Sequence, residues 1–552
     1  MTAELRDPID DTPSRLAPGY MADSASRPLR LQRTLILAGV VGFCLFYGMA
    51  FAFFAPYLLL LFAIPLALLA LLVIWALPAA RRAPTNLLTT LFFGYIVVLV
   101  MWPNYLALAL PGLPWITASR LLGLPAFGVF LVCVSTSPQV VASITAAMNN
   151  LRPLSILLIV FVAIQTVSVV FSDQKPSSVD RLIIAYTSWT AMLLMACYIF
   201  QTPGRLERWA TYLWVMGILV GAIAIWEFHH KQLPWVGHIP SFLKIDDPGV
   251  RKQMMGVTRA WTDIYRAQST FGTSLDFGEY LSWTLPFVYH FLGKAYKWWV
   301  RALALASVPY LAYLCYCSGA RIALIGFLLS TALSLLFWGI QRWRRNRKDL
   351  LGPAVVFAYP AGFVGLLGLI VAVGRIRAMF VGRNGAEKDS TRARFEQVSL
   401  GIPKILSHPW GYGIGRAGQT LNWRTPDGTM SIDNYYLLTI LDYGVVGFLV
   451  FWSMIVYTIF VAFQYTLKYD TEDRELSMIV PVAICLVNFC AVRVFYSNFG
   501  NIPIQYMFIG IVFALCLRFE RKFAPADETR DSVPTLGRNR PVGPRPAAAA
   551  RG

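Results

Sequence analysis

The sequence predicts an all-α fold, a polytopic transmembrane helix bundle of about 14 spans with two long periplasmic loops. Three observations lead there. The chain of 552 residues is 57% hydrophobic and only 14% charged, with a mean hydropathy of +0.56, too apolar for a soluble surface of this size. The apolar residues fall in blocks such as Leu35–Phe54 and Tyr57–Leu77, each close to the ~20 residues that a helix needs to cross ~30 Å of hydrocarbon. Lys and Arg gather in the short loops of one side, as positive-inside topology requires. In lipid, helices satisfy their own backbone groups, so long apolar runs read as helices.

Residues 1–33 are charged and contain proline, which reads as a cytoplasmic N-terminal segment without a cleavable signal peptide. A transmembrane domain follows over 34–518. Its spans lie near 34–54, 57–78, 87–107, 120–137, 153–172, 182–200, 210–227 and 277–292. Further spans lie near 302–317, 322–340, 353–373, 437–463, 478–494 and 503–518. Pro114 and Pro125 interrupt the fourth. With the N-terminus inside, the basic loops at Arg81-Arg82, Arg205/Arg208, Lys294/Lys297/Arg301, 341–348 and 518–522 all fall on the cytoplasmic side. The Pro-, Arg- and Ala-rich stretch 519–552 reads as a disordered cytoplasmic tail. The chain is therefore placed in the bacterial inner membrane.

Eight cysteines sit inside predicted spans without CxxC pairs, which suggests neither a disulfide framework nor a zinc site. They read as small apolar fillers. No repeat and no inverted pair of broken helices marks a secondary transporter. Two long outer loops, 227–276 and 374–434, stand out instead. Both are basic, in a chain of net charge +19. Arginine's planar fork suits phosphate oxygens, so a phosphate-bearing lipid is a natural ligand, although a solvated face is the simpler reading of charge alone. No nucleic-acid partner is implied; the lipid bilayer is the expected surroundings.

Local motifs add to this. Cys317-Ser318-Gly319-Ala320-Arg321 closes one span and opens the next. Arg392 and Arg394 precede an amphipathic stretch, then His408-Pro409-Trp410-Gly411-Tyr412-Gly413-Ile414-Gly415. Asp433-Asn434-Tyr435-Tyr436-Leu437 and Asp442-Tyr443-Gly444-Val445-Val446-Gly447 follow, while Arg266 lies upstream of span eight. No strand precedes the glycine run, so it is no Rossmann phosphate cradle; its glycines permit a tight turn.

Taken in order over roughly Arg266 to Leu449, these elements resemble the O-antigen ligase and polysaccharide polymerase superfamily. The resemblance implies a metal-independent, cofactor-free glycosyltransferase using an undecaprenyl-diphosphate-linked glycan as donor and acceptor at the periplasmic face. A chain-length regulator of the Wzz type is a partner by the same analogy. Cleaving a glycosyl–diphosphate bond leaves negative charge that fixed arginines stabilise. Arg321 and Arg394 are the catalytic candidates for this, with Arg266 and Arg392 as substrate-binding candidates. Ligases carry His where this chain has Asp433, whose carboxylate can act as the base toward an acceptor hydroxyl. That difference points to the exopolysaccharide polymerase branch. Ser318, His408, Asn434, Tyr435 and Arg493 complete the expected substrate contacts. Structural alternatives exist for four of these: an interfacial snorkel for Arg321, a helix N-cap for Asp433, a turn for His408 and an ion pair with Asp442 or Glu279 for Arg493. A ligase acting on finished glycan, or a transporter of lipid-linked sugars, would be the other function classes.

Overall fold

A computed structural model describes residues 39, 42, 46, 65–78, 83–108, 116–245, 265–372, 385–424, 430–469 and 472–523. Most of the predicted first span, the N-terminal segment 1–33, the tail from 524 and parts of both predicted outer loops lie outside the described residues. The chain divides into two units. The first, Met1–Val73 with Leu110–Pro114, contributes the start of an apolar helix, Pro65–Trp75. The second, Ile74–Ala109 with Trp115–Gly552, carries everything that follows.

Eight helices of the described residues are long and apolar enough to cross a membrane. They are α2 (Ala118–Thr136), α4 (Arg152–Phe171), α5 (Lys175–Ile199), α6 (Arg205–His230), α8 (Trp298–Ser318), α9 (Arg321–Arg345), α13 (Tyr435–Lys468) and α15 (Ile502–Phe523). Each coincides with a predicted span. Four more predicted spans are helices of other lengths or polarity: α1 (Thr85–Met101), α7 (Ser274–Phe291), α10 (Leu351–Ala372) and α14 (Ile479–Val492). α7 carries Asp276 and Glu279 within its first two turns, which is why it reads as less apolar.

Three elements were not in the predicted pattern. An amphipathic helix α3 (Pro138–Asn150) separates α2 from α4. The second outer loop folds as α11 (Gly385–Ser407) and the short α12 (Ala417–Leu421). A small antiparallel sheet of β1 (Leu106–Leu108), β2 (Ile116–Thr117) and β3 (Leu243–Ile245), in the order β2-β1-β3, modifies the all-α expectation. Chain segments leaving α1 and α6 at the same end lie side by side there, and pairing satisfies their backbone groups once helical bonding stops.

The core of the second unit is built on α7, α14 and α15. In α15 nearly every residue is buried, and in α7 all but a few are. α7 approaches α9 through small residues: a Cβ on Gly278 would come within 2.9 Å of Ala323 Cβ, and one on Gly326 would overlap Ser282. Close backbone approach through small residues is the usual means of helix association in lipid, where apolar burial gives no preference for protein over acyl chains. At one end of the bundle, the buried Glu475 accepts from Leu206 N and Glu207 N, each at 3.0 Å, and from Arg518 Nη2 at 2.7 Å. The opposite end gathers the α6 terminus, the α8–α9 turn, α11, the start of α13 and the segment 493–501.

Candidate functional site

The α8–α9 turn is fixed by its own sequence. Gly319 has φ +54, a conformation that favours glycine, and its N–H donates to Tyr316 O. Ser318 is buried; its hydroxyl donates to Cys315 O at 2.8 Å and accepts from Ala320 N at 3.3 Å. Ser318 thus holds the turn from inside and is not at a surface. Arg321 follows as the first residue of α9, half-buried. A Cβ on Gly319 would stand 2.9 Å from Arg266 Cγ, so the Arg266 stem lies across this turn.

The segment bearing Arg266 is clamped from both sides. Ala267 N donates to Cys317 O at 3.1 Å. The buried Glu227 carboxylate accepts from Tyr265 Oη at 2.8 Å, Gln268 N at 3.1 Å and Ser269 N at 2.7 Å. Glu227 closes an apolar span, and a carboxylate at that depth is itself a signal of a polar requirement.

Arg392 and Arg394 lie within α11 and do not precede it, as the sequence pattern suggested. Arg392 is exposed. Arg394 has its guanidinium carbon 5.6 Å from the Phe495 ring centre. Burial lowers the Arg394 pKa from its ordinary value; the charge of Asp433 works against this and that of Arg321 adds to it. Asp433 and Arg321 therefore both lie near enough for their charges to act on Arg394. One turn along α11, Gln397 is fully buried and its Oε1 accepts from Asp433 N at 2.9 Å. Among the described residues, Arg394 Nε and Gln397 Nε2 are buried donors without a hydrogen-bond partner. Buried donors are rarely left so, and here they stand beside the candidate base.

Asp433 is half-buried, and its Oδ1 accepts from Ser431 Oγ at 2.9 Å. It is not the N-cap of α13. Asn434 takes that position, with Oδ1 accepting from Tyr436 N at 2.8 Å and Leu437 N at 3.2 Å. Asn434 and the buried Tyr435, which donates its N–H to Arg493 O at 2.9 Å, are parts of the helix start. Asn434, half-buried, thus has its Oδ1 engaged in capping, and Tyr435 is packed inside the helix start.

The glycine run 411–415 forms a strap laid across a kink in α13, where Gly444 has φ +69 and ψ −176. Tyr412 N donates to Leu441 O at 2.8 Å, Gly413 N to Asp442 O at 3.0 Å and Val445 N to Pro409 O at 2.9 Å. Asp442 finishes the join: its two carboxylate oxygens accept from Gly415 N at 2.9 Å, Arg416 N at 2.9 Å and Ala417 N at 2.7 Å. Arg416, itself buried, donates in bidentate fashion to Asp173 at 2.8 and 3.1 Å. The bond from Arg416 holds the Asp173 carboxyl below its ordinary pKa. His408 is exposed at the edge of the strap, with Nδ1 2.9 Å from Tyr412 Oη.

Arg493 is an internal residue. It is fully buried and donates to both oxygens of the equally buried Glu279, Nε and Nη2 each at 3.0 Å. Glu279 also accepts from Asn501 Nδ2 at 3.0 Å, and Arg493 Nη1 donates to Asn498 O. Of the two expected ion-pair partners, Glu279 is the real one, and Asp442 is taken by backbone amides.

Between the start of α7, the strap, residues 430–432 and the loop 497–500 lies a cavity of about 560 Å³. Ser431, which donates to Asp433, is part of its wall. Sequence reasoning missed Glu227, Gln397 and this cavity. The pattern Thr273-x-x-Asp276 was a legible cap signal for one wall: Thr273 Oγ1 accepts from Asp276 N at 3.2 Å and donates to Asp276 Oδ2 at 2.9 Å. Gln397 had no signal beyond its place three residues after Arg394 on one helical face.

Among curated proteins, none matches this chain. A family model does: residues 305–452, the stretch that carries Arg321, Arg394, Asp433 and the strap, match the model described as O-Antigen ligase. Over residues 305–452 the chain is similar to that family, and its eight long apolar helices accord with a multi-pass membrane protein.

Proposed function

We propose that the protein is a membrane polymerase that joins undecaprenyl-diphosphate-linked oligosaccharide repeat units at the periplasmic face by inverting glycosyl transfer. The observation that carries this reading is Asp433: it is relieved of helix capping by Asn434, its N–H is held by Gln397 one turn from Arg394, and its charge, like that of Arg321, acts on Arg394. In the reaction, the carboxylate of Asp433 accepts the proton of an acceptor hydroxyl. The hydroxyl oxygen bonds to the donor's anomeric carbon as the bond from that carbon to the diphosphate oxygen breaks. The electron pair leaves on the lipid diphosphate, whose charge Arg321 and Arg394 stabilise. Arg266, whose flanking residues Tyr265, Gln268 and Ser269 are held by Glu227, and the exposed Arg392 supply further positive charge for the same group. Attack opposite the leaving group inverts the anomeric centre.

The size distribution of lipid-linked glycans in a strain carrying Asp433→Ala, with protein confirmed by blotting, tests this reading. Single repeat units accumulating on the outer leaflet support it; a normal ladder of lengths removes Asp433 as the base. The family model's description as O-Antigen ligase favours a second reading, transfer of finished glycan to another acceptor. Full-length glycan retained on its lipid carrier in a deletion strain would select that one.

A further inference from the structure

We infer that the cavity beside Asp433 is a saccharide subsite, taking a neutral, hydroxyl-rich sugar of the lipid-linked substrate with Asp276 as its principal acceptor. This rests on the proposed glycosyl transfer and names the part of the substrate that the arginines do not hold.

Thr273, Asp276, Gln419, Ser431, Ser497 and Asn498 supply the polar side chains of the wall, together with the Asp442 carboxylate already closed by backbone amides. Among the described residues no lysine or arginine lines it. A wall of hydroxyls, amides and carboxyls suits a polyhydroxyl ligand and disfavours a diphosphate, which would meet like charge. The volume, about 560 Å³, falls in the range of small-molecule sites. Phe499 completes the wall, its ring already covered by the Arg181 guanidinium at 4.4 Å and stacked on Trp189.

Asp276 is the second, independent observation. It is 5% exposed, and its two oxygens differ. Oδ2 accepts from Thr273 Oγ1 at 2.9 Å and Asn498 Nδ2 at 3.0 Å. Oδ1 is buried and has no hydrogen-bond partner among the described residues. Gly500 lies over it: a Cβ there would stand 3.8 Å from Oδ1 without touching anything closer. Asp276 lines the cavity, and its Oδ1 is a buried acceptor for which the described residues supply no donor; a sugar hydroxyl bound at this wall is such a donor. Through Ser431 the wall is joined to Asp433 by one hydrogen bond, so a sugar seated here lies next to the base.

The fold allows the cavity to be filled without disturbing its walls. Gly418 lines it, has no left-handed φ, and a Cβ there would meet no atom within 4 Å. The experiment measures binding of two probes to the full-length protein in nanodiscs. One is lipid-linked oligosaccharide extracted from a strain lacking this gene; the other is undecaprenyl diphosphate without sugar. The wild type should prefer the glycan-bearing probe. Gly418→Trp and Asp276→Asn should each reduce that preference about tenfold, the value of one hydrogen bond to a charged group, and leave binding of the bare carrier unchanged. An unchanged preference in Gly418→Trp overturns the subsite, as does an equal loss for both probes. Glycan joining by the wild type is followed separately. Joining with an unaltered preference in the variants removes the subsite alone; no joining with the preference intact removes the proposed reaction alone.

Discussion

The strap on the α13 kink and the corner formed by Arg321, Arg394 and Asp433 lie at the same end of the bundle and are built from the same residue types, yet they are opposites in hydrogen bonding. At the strap every oxygen of Asp442 meets a backbone N–H, and Arg416 is paired with Asp173. The buried Arg493–Glu279 pair is closed in the same way. At the corner, Arg394 Nε and Gln397 Nε2 have no hydrogen-bond partner among the described residues, and at the wall of the neighbouring cavity neither does Asp276 Oδ1. Saturated polar groups hold a fold; unsaturated ones cost stability and persist where a ligand supplies what is missing. Buried atoms without a partner among the described residues also occur in the helix core, at Gln165, Asn488 and Gln505, so openness marks the corner only because it coincides there with the motif residues.

The comparison can be broken from the scaffold side first, where the largest effect is expected. Arg493→Ala or Glu279→Ala leaves one buried charge unpaired and should cost about 3–5 kcal/mol, read as a loss of monodisperse protein in detergent and a lower melting temperature. Replacing both with Met should cost less than either single change. Single variants that melt like the wild type would show that the pair is not structural.

On the chemical side, Arg321→Ala should reduce turnover by about 10²–10³-fold, comparable to removing one fixed charge-stabilising donor, while the melting temperature stays put. A fall in melting temperature that parallels the lost turnover would move Arg321 into the scaffold. Gly444→Ala tests the strap: a Cβ would overlap Pro409 O and the Trp410 carbonyl carbon, and φ is positive. It should cost about 1–3 kcal/mol, measured by thermal unfolding, with activity per folded molecule much less affected.

The smallest effect concerns pH. Asp173 has its folded pKa depressed by Arg416, so its contribution is present above the ordinary carboxylate pKa and is lost as pH falls through the lowered value. Its side chain is 74% exposed, which limits the effect to under about 1 kcal/mol. The wild type should lose this increment between neutral and strongly acidic pH, and Asp173→Asn should lack it throughout. Identical acid profiles in the two proteins would show the Arg416 contact to be idle.

The predicted spans were legible because the bilayer imposes one rule on every crossing segment, length with low polarity, and twelve of them recur as helices among the described residues. The motif residues Arg321, Arg394 and Asp433 were legible as well, through spacing. The roles of their neighbours were not. Asp433 and Asn434 are equally good caps by residue type, and only the backbone at the start of α13 decides that Asn434 caps. Arg493 and Arg321 both read as charges near helix ends; their fates differ because Glu279, 214 positions earlier in the chain, meets one of them.

What the sequence by itself determined is therefore the membrane-spanning helical architecture and the inventory of charged residues available to one end of it. Those follow from local hydropathy and short motifs, which need no partner to be read. Only the tertiary structure decided which polar atoms are closed and which stay open. Hydrogen-bond satisfaction depends on groups brought together from distant segments, such as Glu227 with Gln268 and Ser269, or Thr273 with Asn498.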